Sequence, residues 1–462
     1  MTALRFTIKS IVVTALAFVA HACWAQNDPL YQSSGSWGQD QEDQWALKRV
    51  NMPEISSGET VVVAVIDPGI DYYHPDLDAE SIWRNSEEEA NGIDDDGNGY
   101  IDDLIGWNFL DNDNTPWDHS GHGTHTAGII AAATNNGIGI AGMNPDVKIM
   151  PLKTMNFYGR GESLQIAAAI YYAVENGAQV INMSIGSEGP SKVEEMAIEY
   201  AHQQGVVVVV AAGNLSIDAA DFAPAGIAGA ITVSALDADN ERPPYANFGH
   251  SVDIAAPGDD VLSLRARQTD FTWIDGPPDY EVLDNVVGED LAYYRATGTS
   301  FSAPFVAGAA SLLLSQRPEL TAEQIERMLL QSAVDVVDPG WDVMSGYGLL
   351  DVTAALAADP EYFVESRIFS AGLAQTSDGY VIQVAGTTDA NEFEEAWIEV
   401  GAGDDPTEWH RVVDNIESPA RETVVGEFGI DILRSSPRWI VRLITTHKDG
   451  SQRETRYVLN LG

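Results

Sequence analysis

Between about residue 60 and residue 355, unbroken apolar runs alternate with stretches of helical periodicity. Val61–Ile66, Val147–Lys153, Gln179–Ser184, Gly205–Ala212, Ala230–Ala235 and Val252–Ala256 read as strands. Segments such as Ser163–Asn176 and Ser191–Gln204 read as the helices between them. A run like Val206–Val210 has no polar position to turn towards water, so it needs cover on both faces. That predicts a mostly parallel sheet wrapped by helices, a doubly wound α/β fold. After Asp359-Pro360 the pattern becomes short apolar–polar alternation: Tyr380–Val384, Glu395–Val400, Trp439–Thr445 and Thr455–Leu461. Turn signals at Asp378-Gly379, Gly401–Pro406 and Lys448–Ser451 separate these segments. They predict an all-β sandwich domain over residues 361–462.

The N-terminus belongs to neither unit. Arg5 and Lys9 precede or flank the apolar run Ile11–Ala20, and Cys23-Trp24-Ala25 offers small residues for cleavage. Residues 1–25 therefore read as a signal peptide, leaving a first domain over 26–357 and a secreted product. A lipid anchor on Cys23, or retention in a periplasm, is the lesser alternative, because the Leu expected upstream is missing. Cys23 is the one cysteine of the 462 residues, so the exported chain holds no disulfide. Other staples, bound metal first among them, are expected in its place.

Charge narrows the partners. Seventy acidic residues stand against 24 basic ones, a formal charge of -46. Such a surface repels nucleic acid and anionic membranes. The apolar run at the N-terminus is too short to span a bilayer. A soluble monomer is the expectation.

Three stretches carry candidate chemistry. Strand Val61–Ile66 ends in Asp67, followed by Pro68 and Gly69, at the strand end where sites of open parallel sheets lie. His122 sits among small residues in His119-Ser120-Gly121-His122-Gly123-Thr124-His125, at a helix start, where a neutral imidazole can act as a base. Ser300, in Thr297-Gly298-Thr299-Ser300-Phe301-Ser302-Ala303-Pro304, opens an Ala-rich helix whose free N–H groups favour negative charge. Each has a plainer reading taken singly: a turn Asp, a structural His, a Ser cap. His119, His122 and His125 are spaced evenly enough to suggest zinc, but no H-E-x-x-H pattern or acidic fourth ligand accompanies them.

Taken together, in the order Asp, His, Ser, these stretches resemble the subtilisin-like serine proteases. Asp67-Pro68-Gly69-Ile70-Asp71 with His74-Pro75-Asp76-Leu77, the His122 block and Gly298–Pro304 match the three motifs of that family. The resemblance covers about residues 27–356. Pro68 stands where Ser or Thr is usual, and Phe301 where Met is common. It implies Asp67, His122 and Ser300 as a catalytic triad in an endopeptidase working through an acyl-enzyme. It further implies Asn214, in Ala211-Ala212-Gly213-Asn214, as an oxyanion donor beside the Ser300 amide. Ser184-Ile185-Gly186 and Ala211–Gly213 would be walls of the primary substrate pocket, with Gly159–Gly161 along the acyl side. Their small, uncharged character suggests a large apolar residue before the cut.

Calcium is expected at two places. By resemblance to thermitase-like members, Asp28, Asp76 and Asn136 would give side chains, and Ala133, Ile138 and Ile140 carbonyls, tying the N-terminal arm to the core. The second place is an insertion, residues 78–118, with 13 acids and one base. There Asp94-Asp95-Asp96-Gly97-Asn98-Gly99-Tyr100 resembles an EF-hand loop, offering Asp94, Asp96, Asn98, the Tyr100 carbonyl and Asp102 or Asp103. Ile105 replaces the usual bidentate Glu, so a standard helix–loop–helix hand is not expected.

Two rival function classes fit the sequence less well. A binding or adhesion protein on an inactive scaffold would show loss of Asp67, His122 or Ser300, and all three are present. An esterase would want a Gly-x-Ser-x-Gly elbow, which Ser302 breaks. The family commonly carries a folding pro-domain. Here Asn27-Asp28-Pro29 follows the signal almost at once, so either folding needs no such helper, or calcium or the C-terminal domain is expected to assist it. A further insertion around Gln268–Tyr294, with Trp273, Tyr280, Tyr293 and Tyr294, is expected either to edge the cleft or to pack as a surface loop.

Overall fold

Seven parallel strands build the centre of the molecule. The computed structural model describes residues 26–275, 280–377 and 379–461; the expected signal peptide, Cys23 included, lies outside them. In chain order the first strands are β1 (Val61–Asp67), β2 (Trp107–Asn108), β3 (Val147–Lys153), β4 (Val180–Met183), β5 (Ser187–Glu188), β6 (Val207–Ala211), β7 (Phe222–Ala223), β8 (Ala230–Leu236) and β9 (Ile254–Pro257). The sheet runs β2-β3-β1-β4-β6-β8-β9, with every neighbour parallel. β5 and β7 form a separate antiparallel pair beside it.

Alternation along the strands divides the core in two. Val61, Val63 and Val65 of β1 face helices His122–Ala131 and Ala303–Gln316. Ala64 and Ile66, one step out of phase, face helices Ser163–Glu175 and Lys192–Gln203. The apolar runs thus find cover on both sides, as a doubly wound sheet requires. β1 is central, so its last residue, Asp67, emerges amid neighbouring strand ends. Its carbonyl accepts the Thr154 N–H at 3.1 Å.

Three short antiparallel strands, β10 (Val261–Leu264), β11 (Val286–Val287) and β12 (Tyr293–Ala296), precede the Ser300 segment. The C-terminal unit has seven more: β13 (Val364–Thr376), β14 (Gly379–Ala390), β15 (Phe393–Ala402), β16 (His410–Ile416), β17 (Ala420–Gly429), β18 (Arg438–His447) and β19 (Gln452–Asn460). They form antiparallel sheets β13-β14-β17 and β16-β15-β18-β19, closed over one core that includes Ile382, Ile398, Trp439 and Val441. β13, β16 and β17 escape the sequence pattern because their exposed residues interrupt it; β16 holds no fully buried position.

The two units are stitched together. Trp341 donates its amide to the Glu454 carbonyl at 3.1 Å and accepts the Thr455 hydroxyl at 3.0 Å. Arg367 of β13 reaches Asp253 at 3.6 Å and lies over the rings of Trp341 and Tyr347.

Candidate active site

Asp67 is wholly shielded from solvent at the end of β1. Facing it, helix His122–Ala131 begins after Gly121, whose φ of 107° belongs to glycine's territory. Asp118 shapes that start. Its Oδ1 accepts the Ser120 and Gly121 N–H groups at 2.8 and 2.7 Å, and its Oδ2 accepts the Thr124 N–H and hydroxyl at 2.9 and 2.7 Å. The first helical residue, His122, therefore presents its ring to β1, and Nδ1 donates to Asp67 Oδ1 at 2.7 Å. Glycine at 123 is what lets the elements approach. A Cβ there would stand 2.0 Å from the Gly69 carbonyl oxygen and 2.9 Å from Asp67 Oδ1.

Ser300 lies in a 3-10 turn, Thr299–Phe301, that leads into helix Ala303–Gln316. Its hydroxyl donates to the Ser184 carbonyl at 3.0 Å, and the Ser184 hydroxyl donates to the Ser300 carbonyl at 2.6 Å. Thr299 orients Asn214. Its N–H and hydroxyl reach Asn214 Oδ1 at 2.9 and 3.0 Å, while its Oγ1 accepts the Gly213 N–H at 3.0 Å. With the amide oxygen held there, the Asn214 NH2 is left as the free donor.

His122, Ser300 and Asn214 share one cleft of about 720 Å³. Ser184, Ile185, Gly186, Ala211 and Gly213 line it as well. Ala212 does not. As the next residue along, it turns into the core beneath the helices of the opposite face. Phe222, Phe271 and Met155 line it too, although no motif marks them. Met155 follows β3, Phe222 opens β7 and Phe271 lies in the insertion before Ser300, and the fold brings them together. Phe301 leans on His122 with ring centroids 5.2 Å apart, and Phe271 meets that ring edge-on at 5.8 Å.

Electrostatics favour a charged imidazole against Asp67. Burial lowers the His122 pKa, but the Asp67 charge and hydrogen bond outweigh it, so the net shift is upward. His125 behaves differently. Burial pushes it down to about 3, and its Nε2 lies 3.0 Å from the carbonyls of both Val261 and Tyr294. It is a neutral structural histidine tying the helix to β10 and β12. Among the described residues, the one group of acids and histidines gathered at metal-binding distance contains no histidine.

The expected first calcium ligands converge. Asp28 Oδ1 accepts the Asn136 N–H at 3.1 Å, and Asn136 Nδ2 donates to Asp76 Oδ1 at 2.7 Å. The Ile140 N–H and the Tyr293 hydroxyl reach Asp76 Oδ2 at 3.0 and 3.2 Å. Ala133, Ile138 and Ile140 belong to the same loop, and the Ala133 N–H donates to the Asp76 carbonyl at 3.0 Å. Both carboxylates are fully buried, and burial pushes Asp76 up to about 7. Two sheltered acids beside a carboxamide and a carbonyl-bearing loop fit a hard divalent cation.

At the second expected calcium place the structure adds one carboxylate. Asp94 and Asp96 are joined by Glu88, not by the acids that follow them. Asp103 is buried and accepts hydrogen bonds from the Tyr172 hydroxyl, Asn85 and Asn98. Asp102 accepts the N–H groups of Asn91 and Gly92, each at 2.9 Å. Asn98 spends Oδ1 on the Tyr100 N–H at 2.7 Å. Glu88 stands before the loop, where the EF-hand spacing does not look for a ligand.

The insertion before Ser300 does edge the cleft, through Phe271, Thr272, Tyr280 and Asn285. Tyr293 and Tyr294 are buried beneath it, and Trp273 is exposed.

Comparison with known proteins gives the family. The family model Peptidase_S8, the subtilase family, matches residues 58–348. The chain is 36% identical over 299 residues to a thermophilic serine proteinase of Bacillus sp. (strain AK1), which covers 65% of this chain and 62% of that protein, less than two thirds of its length. It is 32% identical over 296 residues to thermitase of Thermoactinomyces vulgaris, covering 63% of this chain and 86% of that one. Among solved structures, a protease from Pseudoalteromonas arctica superposes with a TM-score of 0.57 at 28% identity, over 72% of this chain and 98% of that one.

Proposed function

The chain belongs to the subtilase family, and from that premise we propose that it is a secreted serine endopeptidase using Asp67, His122 and Ser300. The observation that carries the reading is the 2.7 Å contact of His122 Nδ1 with the buried Asp67, in a cleft shared with Ser300 and Asn214. Ser300 Oγ attacks the scissile carbonyl as His122 Nε2 takes its proton. The buried Asp67 charge steadies the imidazolium so formed. The carbonyl oxygen becomes an oxyanion facing the Asn214 NH2 and the Ser300 N–H. His122 then returns the proton to the departing amine, and a water molecule, deprotonated by the same ring, hydrolyses the acyl-enzyme.

Substrate would lie extended along Gly159–Gly161 and Ser184–Gly186, pairing through its backbone. Calcium is assigned a structural part. Asp28, Asp76 and Asn136 with the 133–140 loop would hold one ion, and Glu88, Asp94 and Asp96 a second. Secretion fits the expected signal peptide. Among the described residues no helix is long and apolar enough to cross a membrane.

The test is hydrolysis of casein and of an internally quenched peptide by the purified protein and by Ser300→Ala. Activity is expected to fall at least about 10³-fold in the variant, with the fold unchanged. Activity surviving in S300A would remove the mechanism.

A further inference from the structure

Resting on that reading, the geometry points to Phe222 as the residue that sets specificity, by filling the seat for the side chain before the cut. The two walls assigned to this seat are Ser184–Gly186 and Ala211–Gly213. In each, the glycine leaves a gap, and the same ring fills both gaps. A Cβ on Gly186 would stand 2.2 Å from Phe222 Cε1, and one on Gly213 would stand 2.7 Å from it. The ring is only 8% exposed, yet it forms part of the cleft lining.

The ring is also fastened there. Phe222 opens β7, which pairs with β5 directly beyond the Ser184–Gly186 wall: Glu188 faces Phe222 and Ser187 faces Ala223. The Gly189 N–H donates to the Asp221 carbonyl at 2.8 Å, and the Gly226 N–H to the Phe222 carbonyl at 3.0 Å. The segment carrying the ring is thus laced to the wall that the ring abuts. Close-packed protein does not make room for a second large group where one already sits.

A slot that holds one aromatic ring between its strands has no space for another from the substrate. The seat that remains is shallow and apolar, and it suits Ala, Ser or Gly before the scissile bond. The small walls alone suggest a large apolar residue there, and Phe222 reverses that expectation. Phe222 belongs to neither wall and to none of the three motifs, so no local pattern marks it.

The experiment is digestion of a peptide library, reading the residue before each cut as a ratio within each protein, so that overall activity cancels. The unaltered enzyme is expected to cut after Ala, Ser and Gly at least about tenfold better than after Phe or Leu. Phe222→Gly, with Phe222→Ala as a milder opening, is expected to raise the Phe-to-Ala ratio by at least about tenfold. An unaltered enzyme that favours Phe or Leu would overturn the proposal without recourse to any variant. So would a ratio unmoved in folded F222G and F222A. No cleavage at all by the unaltered protein would strike the reading of function instead.

Discussion

Asp67 Oδ1 accepts a hydrogen bond from His122 Nδ1 at 2.7 Å, and no part of that carboxylate reaches solvent. Its charge therefore acts on the imidazole with little screening. His122 must be neutral to take the Ser300 proton, and Asp67 holds its pKa above the usual 6.5. Activity is absent at pH values where the ring is protonated and rises as pH climbs through that raised value. In Asp67→Asn the negative charge is gone, so the midpoint of the kcat/KM profile moves to lower pH. The plateau falls about 10⁴-fold, since the wrong tautomer and an unsteadied imidazolium remain. A profile whose midpoint stays in place would show that the carboxylate does not set the His122 pKa.

Asn214 is aimed by Thr299, which occupies its carbonyl oxygen with both an N–H and a hydroxyl. The free NH2 serves charge that exists only after attack has begun. Asn214→Ala is expected to lower kcat about 10²- to 10³-fold with KM nearly unchanged. Thr299→Val keeps the amide contact but loses the hydroxyl, and a smaller fall in kcat is expected. Steady-state kinetics on one peptide separates these outcomes; a rise in KM alone would make Asn214 a binding group.

The residues proposed for catalysis were legible because each sits in a short, contiguous stretch at the end of a buried element, with glycines where backbones must touch. The central sheet was legible for a related reason: strands buried on both faces are apolar throughout. What escaped lies outside the motifs themselves. Phe222 reaches the cleft from the short strand β7 and Phe271 from the insertion before Ser300, and Glu88 joins Asp94 and Asp96 from before the acidic loop. Ala212 reads as a pocket wall like its neighbours, but strand alternation turns it to the opposite face. Half-exposed strands such as β16 left too faint a pattern, because their stability comes from partner strands.

Asp28 and Asp76 bind the N-terminal arm to the loop after the His122 helix, and both are buried. A cation bound only by the folded chain stabilises it by mass action, about 2.7 kcal/mol at a hundredfold excess over Kd. Thermal unfolding should therefore shift upward with added calcium and downward in excess EGTA. Asp76→Asn, which removes one charged ligand, should abolish most of this response. Equal Tm values with and without calcium in the unaltered protein would rule out a stabilising ion there.

Arg367 is one of the charges that join the C-terminal sandwich to the first unit. It reaches Asp253 at 3.6 Å and lies 4.9 and 5.2 Å from the ring centroids of Trp341 and Tyr347, with Arg and Asp side chains only 16% and 17% exposed. Asp253 also accepts the Thr232 N–H at 3.0 Å, so it cannot swing out to water without a further loss. Arg367→Met keeps much of the packing but strands that carboxylate. Removing one partner of a buried pair costs about 3 kcal/mol, most of it the penalty on the charge left behind. The expected result is earlier unfolding in guanidinium by about that amount, read by tryptophan fluorescence. Pairing it with Asp253→Asn should recover part of the loss, because the stranded charge is gone. If R367M and the double variant are equally stable, Arg367 joins the two units by packing on Trp341 and Tyr347 and not by charge.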